Sequence, residues 1–504
     1  MLAAACGEPE VRYVERVVEK PVIQEKVVTV EVPVIQEKVR TVTVEKPVIV
    51  EKEVEKVVTV EKPVIVEKIV EKPVIVEKIV EKRVEVPAKI TDPVTIEYWT
   101  PWPAEISVGK AVIDLVDQFN QAQERVQVNT LVGKEGNSRT LLPEYLAGSA
   151  PHAALLGSTG GASFMGTEVY MPLTRWLKTD KEMAKAVQDD FWPGLNEGFM
   201  WKGELYYFLW DALPVVTFLN QSYFRAAGAA APQAGWTWQD MEELLVALKP
   251  HITDENSAPM FLDIRDTGSA LPALVGQAGG EYLVSKDYRR ITIGDPPVIE
   301  AAEWGRDLEK RGLSMKPGPR GSDNRNWSAG KVAIEIEGIG RLPGYRDAIT
   351  KGDSPIKDED MGWGPSLTHK RRATLVTGIV NGIVRNRDEA KMDGAYELLS
   401  WLMKPENLVA HNQINRWMPS RKSAANLGRE QNVFTDPVQF GSFDDMAHGI
   451  VTMPMTPMTE AIRKRLAAAL VAIDAGEPAQ ETLQAAAAEL QLDFERKVLL
   501  QLQR

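Results

Sequence analysis

From Val11 to Val86 the chain uses little except Val, Ile, Glu, Lys, Thr and Pro, and this run decides where a core can form. The unit Pro-Val-Ile-x-Glu-Lys begins at Pro21, Pro33, Pro47, Pro63 and Pro73, and the last two copies extend to an identical PVIVEKIVEK. Spacings of 10 to 16 residues are too irregular for a solenoid built on one rigid repeat. Each proline removes a backbone donor and interrupts helix. The β-branched residues favour extended backbone. Glu and Lys nearly balance, and Tyr13 is the only aromatic residue of the run. The expectation is an extended or locally helical, well-solvated spacer over residues 7–92. A coiled-coil stalk is the alternative, because EKIVEK also reads helically.

The spacer gives a purpose to Cys6, the single cysteine among 504 residues. Small residues surround it in LAAACGEPE. The stretch resembles the lipobox at the end of a bacterial lipoprotein signal, where a cysteine receives lipid. Only five residues precede Cys6, whereas a secretory signal carries an apolar segment of about 7–15. Residues 1–6 are therefore read as the remnant of such a signal. The resemblance implies a lipid at Cys6 anchoring the chain to the cell membrane on its extracytoplasmic side. A spacer at full stretch, ~3.3 Å per residue, reaches on the order of 250 Å.

Bulk properties narrow the classes. The formal charge of -12 argues against a nucleic-acid partner. No apolar run reaches the roughly 18 residues of a transmembrane helix. One cysteine excludes a disulfide within the chain, so stability must come from a buried core after the spacer.

The folded part begins at Pro93. VTIEYW alternates as a strand does. ISVGKAVIDLVDQFNQAQ then places Val108, Val112, Leu115, Val116 and Phe119 on one helical face. VQVNTLV reads as a strand, NSRTLLPEYLAG as a helix, and HAALLGSTG as a third strand. This alternation predicts α/β architecture with parallel strands. Ligands of open α/β sheets lie outside the carboxyl ends of the strands, which directs Trp99, Thr100, Trp102, Ser158 and Thr159 into a cleft. Thr237 with Asp240 reads as a helix-capping pair, followed by a stripe of Met241, Leu244, Leu245 and Leu248. Pro250 follows that helix, Gly476 stops a later one, and Pro478 is placed at the first position of the next.

Five stretches in order resemble the extracellular solute-binding proteins of bacterial ABC importers, the group that includes maltose-binding protein. They are GELYYFLWDALPVVTFLNQSYFRAAG (Gly203–Gly228), GWTWQDMEELLVALK, AGKVAIEIEG, RWMPSRKSA (Arg416–Ala424) and DAGEPAQETLQAAAAEL. Within the first, Asn220, Phe224 and Gly228 hold the family's places. The resemblance implies a two-lobed, type II periplasmic-binding-protein fold with a ligand cleft between lobes. The chain would cross near Ala212, Thr377 and Asp436, giving lobe 1 as residues 93–212 and 378–436 and lobe 2 as 213–377 and 437–504. It also implies a monomeric receptor with no cofactor. That receptor captures a sugar or oligosaccharide and delivers it to a membrane permease driven by a separate ATPase.

All thirteen tryptophans lie after the spacer. Trp176, Trp236, Trp238, Trp304 and Trp401 read as packing residues. Trp99, Trp102, Trp210, Trp327, Trp363 and Trp417 fall at strand ends or loops, where aromatic faces suit the C–H faces of sugar rings. Carboxylates and arginine bind paired hydroxyls through charge-assisted bonds. Asp211, beside Trp210, is the leading polar candidate, followed by Arg265, Asp266 and Glu337. Thr377 joins the set at a lobe crossing. Such residues are expected to face solvent when the lobes stand apart, so that replacing Trp210 or Asp211 leaves stability nearly unchanged. Catalytic patterns are missing: HExxH and G-x-S-x-G do not occur, and five scattered histidines have no metal-ligand spacing. GSTGG at 157–161 lacks the lysine of a phosphate-binding loop. A secreted carbohydrate-active enzyme, whose paired carboxylates are set by separation in space rather than along the chain, and a structural surface protein are the rival readings.

Overall fold

The computed structural model describes residues 93–137, 139–318 and 326–502, and, within the repeats, three strands. These are β1 (Tyr13–Val18), β2 (Glu53–Val60) and β3 (Val64–Ile69), paired antiparallel in that order. Extended backbone is what their β-branched composition favours; helix, and with it a coiled coil, is not what these segments form. Cys6 lies outside the described residues. The chain divides into two units, Met1–Ala88 and Lys89–Arg504.

In the second unit, β4 (Val94–Thr100), β5 (Val126–Val132) and β6 (Ala153–Gly157) come first. β7 (Met200–Trp201) and β8 (Glu204–Leu205) form a separate hairpin. β9 (Phe208–Asn220), β10 (Ala258–Phe261), β11 (Ser314–Met315) and β12 (Val332–Gly338) follow, then β13 (Met361–Gly364), β14 (Thr374–Ile383), β15 (Met418–Pro419) and β16 (Ile450–Val451). The large sheet has the order β11-β10-β12-β9-β14-β6-β4-β5, with β13 and β15 added on β9 and β16 on β14. β4 pairs in parallel with β5 and β6, and β10 with β11 and β12. The two long central strands, β9 and β14, are antiparallel to their main neighbours. The parallel strands expected at the start are therefore present, while the centre of the sheet is antiparallel.

β9 is the backbone of the site. Its sequence, FLWDALPVVTFLN, is apolar except for Asp211, Thr217 and Asn220, and every residue but the half-buried Leu213 is buried. A near-continuous apolar run is what a strand covered on both faces requires. Its first half pairs with β14 and β15; from Val215 onward it pairs with β12, and from Thr217 with β13. Gly378 lets β14 lie close to it, because a β-carbon there would sit 1.9 Å from the Asp211 carbonyl oxygen.

The helices follow their apolar stripes. Ser107–Ala122 buries Val112, Leu115, Val116 and Phe119. Trp238–Leu248 opens on a true capping box: Thr237 Oγ1 accepts from the Asp240 backbone N–H at 3.1 Å, and Asp240 Oδ2 accepts from that of Thr237 at 2.7 Å. Pro250 does not end this segment at once, since a 3-10 turn continues through Lys249–His251. Pro478 is the N-cap of Ala479–Phe494 rather than its first residue.

Candidate functional site

Two groups of side chains form along β9. The first centres on a residue that the sequence did not single out. His411, on the helix Pro405–Asn415, is fully buried. Its ring stacks on Trp210 at 4.1 Å and 9°. Its Nε2 lies 3.0 Å from Asp211 Oδ2. Trp102, in the loop after β4, approaches His411 at 6.2 Å and Trp417 at 5.7 Å. Trp417 precedes β15, whose Met418 and Pro419 pair with Ala212 and Asp211. Trp210, Asp211 and Trp102 thus meet at His411, and Trp417 joins them through Trp102.

Solvent does not reach all of them. Trp102 and Trp417 are half-buried, whereas Trp210 and Asp211 are fully enclosed. The expectation that the latter two face solvent does not hold here: β9 runs through the interior, and the helix bearing His411 covers Asp211. Trp99 and Thr100, at the end of β4, are also buried, with Lys134 Nζ 4.6 Å from the Trp99 ring centre. Ser158 is buried and accepts from the Gly378 N–H at 3.2 Å, which places it next to the half-buried Thr377. Thr159 is half-buried beside it. Among the described residues the indole N–H groups of Trp99, Trp210 and Trp417 have no acceptor.

The second group lies where β10 and β12 end. Glu337 Oε1 accepts from Ser269 Oγ and from the Gly338 N–H, both at 2.6 Å, and Arg341 approaches its other oxygen at 4.0 Å. Burial, with a smaller push from the charge of Asp266, raises the Glu337 carboxyl above its ordinary range. Asp266 caps its own loop by accepting from Gly268 N–H at 2.8 Å. Arg265 is bound inward instead: Asp263 at 3.0 Å, Asp474 at 3.5 Å and the Gly318 carbonyl at 2.8 Å occupy its guanidinium. A residue so committed is a poor candidate for a solute contact.

Register fixes the relation between the groups. Asp211 and Ala212 of β9 carry the first; Val215 and Val216 pair with Gly338 and Glu337 of the second. At about 3.3 Å per residue the two lie on the order of 10–15 Å apart along one strand. Trp327, read as a strand-end aromatic, belongs to neither. It is fully buried against Phe218 at 5.9 Å and Tyr345 at 5.1 Å. Among the described residues no cluster of His, Cys, Asp and Glu suited to a metal ion is present. His411 escaped the sequence reading because its partners lie 200 residues away, and nothing local distinguishes it from a helix-face histidine.

Relatives share this architecture. The sn-glycerol-3-phosphate-binding periplasmic protein UgpB of Pectobacterium atrosepticum is 20% identical over 384 residues, covering 73% of this chain and 82% of its own. Among solved structures, the sugar-binding protein MalE of Xanthomonas citri superposes with a TM-score of 0.69 at 16% identity, over 82% of this chain and 100% of that one. UgpB of Mycobacterium tuberculosis, in complex with glycerophosphocholine, gives 0.66 at 17%, over 80% and 99%. The fold is therefore the two-lobed α/β fold of periplasmic binding proteins. The family described as "Bacterial extracellular solute-binding protein" matches residues 114–440, and the chain belongs to that family.

Proposed function

We propose that this chain is a membrane-tethered receptor that captures a sugar, oligosaccharide or related polyol and hands it to an ABC transporter permease. The observation that carries this reading is the meeting of Trp102, Trp417, Trp210 and His411 at the strand β9, from which a second polar group around Glu337 is only a few residues away. Aromatic faces with carboxylates nearby suit hydroxyl-rich rings. The relatives support it too, being named for glycerol phosphate and sugar binding.

On this reading residues 93–212 and 378–436 form one lobe and 213–377 and 437–504 the other. β9 and β14 cross between them. Trp102, Trp417 and Thr377 contact solute from one side, and Asp266 and Glu337 from the other. Trp99, Thr100, Ser158, Thr159, Trp210 and Asp211 support that first side from within. Solute touching both lobes favours the closed form, so binding shifts an open–closed equilibrium. Lipid at Cys6 holds the receptor near the permease, and the repeat segment supplies reach. The chain acts as a monomer and does no chemistry on its cargo.

The test is a thermal-shift screen with sugars, polyols, polyol phosphates, polyamines and peptides. A ligand at 100 times its dissociation constant adds about 2.7 kcal/mol of stability. A sugar or polyol derivative should raise the melting temperature and be recovered unchanged. Stabilisation only by peptides or polyamines, or release of reducing ends from an oligosaccharide, would sink the reading.

A further inference from the structure

The helix Pro405–Asn415 ends on Arg416, which has φ 55° and ψ 25°, the left-handed region. Three other helices end in the same conformation: Leu141–Ala147, Gln221–Ala227 and Leu342–Lys351. Each of them uses glycine, at Gly148, Gly228 and Gly352. Glycine is the usual residue there because an L side chain brings its β-carbon too close to a carbonyl oxygen. At Arg416 the chain holds a long cationic side chain where glycine would fit with less strain. Lys202, Leu283, Tyr288 and Asn432 also hold positive φ without glycine, and such residues persist where the surroundings over-determine them.

The surroundings do fix this residue. Asn415 Oδ1 accepts from the Trp417 backbone N–H at 2.8 Å, and Met418 pairs with Ala212 of β9. Arg416 is thereby pinned between the helix and the central strand, next to the Trp417–Trp102 contact. Arg346, Arg372 and Arg421, all well shielded, each sit in an ion pair with a carboxylate. Arg416 is half-buried, and among the described residues no hydrogen bond or ion pair reaches its side chain. Beside it, Trp102 and Trp417 are both half-buried and in ring contact at 5.7 Å. An unpaired, half-buried cation beside an aromatic surface suits an acceptor-rich, negatively charged group.

We propose that Arg416 is a solute-binding residue that receives an oxyanion, so that the cargo is a polyol or sugar carrying a carboxylate or a phosphate. This rests on the receptor reading and narrows its substrate class. A guanidinium forms paired, charge-assisted bonds with either oxyanion, so both sources are tested separately. The chain gives up backbone ease at one helix end and gains a cation that discriminates between charged and neutral solutes.

The experiment is isothermal titration of the full wild-type chain, R416G and R416K with four probes: glucuronate, glycerol 3-phosphate, glucose and glycerol. Wild type should bind one oxyanion probe at least about tenfold more tightly than its neutral counterpart, a preference that salt weakens. Preference for glucuronate identifies a carboxylate cargo, and preference for glycerol 3-phosphate a phosphate one. R416G should erase the preference while melting at the same or a higher temperature than wild type, because glycine relieves the left-handed strain. R416K should retain part of it. A stable R416G that keeps the full preference overturns the proposal and leaves the receptor reading intact, as does a wild type that binds only the neutral probes. A wild type that binds none of these probes nor any solute of the wider panel overturns both.

Discussion

Replacing Glu335 by glutamine should shift stability towards the variant progressively as the pH rises. Glu335 lies on β12 with 1% of its surface exposed, and its Oε2 accepts from the Tyr345 hydroxyl at 2.6 Å. Burial pushes its carboxyl from 4.5 up to about 8. The Tyr345 bond opposes the rise, the charge of Glu337 adds to it, and Arg341 opposes it weakly. In the unfolded chain the group ionises near 4.5, while the folded chain keeps its proton to about 8. Between those values the unfolded state binds fewer protons, so stability falls as pH rises. The contribution of the protonated acid is complete below 4.5 and gone once the pH has passed about 8. At about 1.4 kcal/mol per pH unit, that interval sets a ceiling on the order of 5 kcal/mol. Glutamine never ionises, and its amide oxygen can take the Tyr345 bond. Its extra N–H group, if unmatched, costs about 1–3 kcal/mol, but at every pH alike. Urea denaturation of both proteins in steps from about pH 5 to about pH 9 isolates the effect. The difference in unfolding free energy should move towards the variant by several kcal/mol and then level off. A difference that is flat with pH would mean that Glu335 is ionised in the folded chain and that the enclosed, proton-bearing site described here is wrong.

Three other outcomes follow from the same geometry. Trp210→Ala removes a fully buried indole stacked on His411 and should cost about 3–5 kcal/mol in chemical denaturation; a loss under about 1 kcal/mol would put the ring in a solvent-facing position. His411→Ala takes from the buried Asp211 side chain its nearest hydrogen-bond partner. The unmatched group should cost about 1–3 kcal/mol, and the double variant with Asp211→Ala should lose less than the two single variants summed. Expressed behind a complete secretory signal, the wild-type chain should partition into membranes and Cys6→Ser should not; equal partitioning would exclude lipid at Cys6.

What the sequence announced and what it hid differ by the range of the interactions. The capping pair Thr237 and Asp240, the stripe Val112–Phe119 and the strands around Trp99 and Leu155 depend on neighbours within one or two turns, and they are where the periodicity puts them. Trp176, Trp238 and Trp304 pack as their helical positions suggested, on Tyr396, His369 and each other. Asp211 looked like a ligand contact because a carboxylate in an apolar strand demands an explanation. The explanation begins with His411, 200 residues on, and no local pattern specifies that contact. Trp327 misled for the same reason, since a loop position says nothing about Phe218 and Tyr345 closing over it. Arg416 is the reverse case. In the sequence it is only the first residue of the family-like stretch RWMPSRKSA, and only backbone angles show that it occupies a glycine conformation.

On the proposed reading one solute is gripped from two sides of β9. Hydrogen–deuterium exchange on the full wild-type chain, with and without the most stabilising solute of the screen, tests it most directly. Slowed exchange is expected in two places at once: around Trp102 and Asn415–Trp417, and around Thr267–Ser269 and Glu337–Arg341. Protection limited to one of these groups, or located elsewhere in the chain, would contradict it.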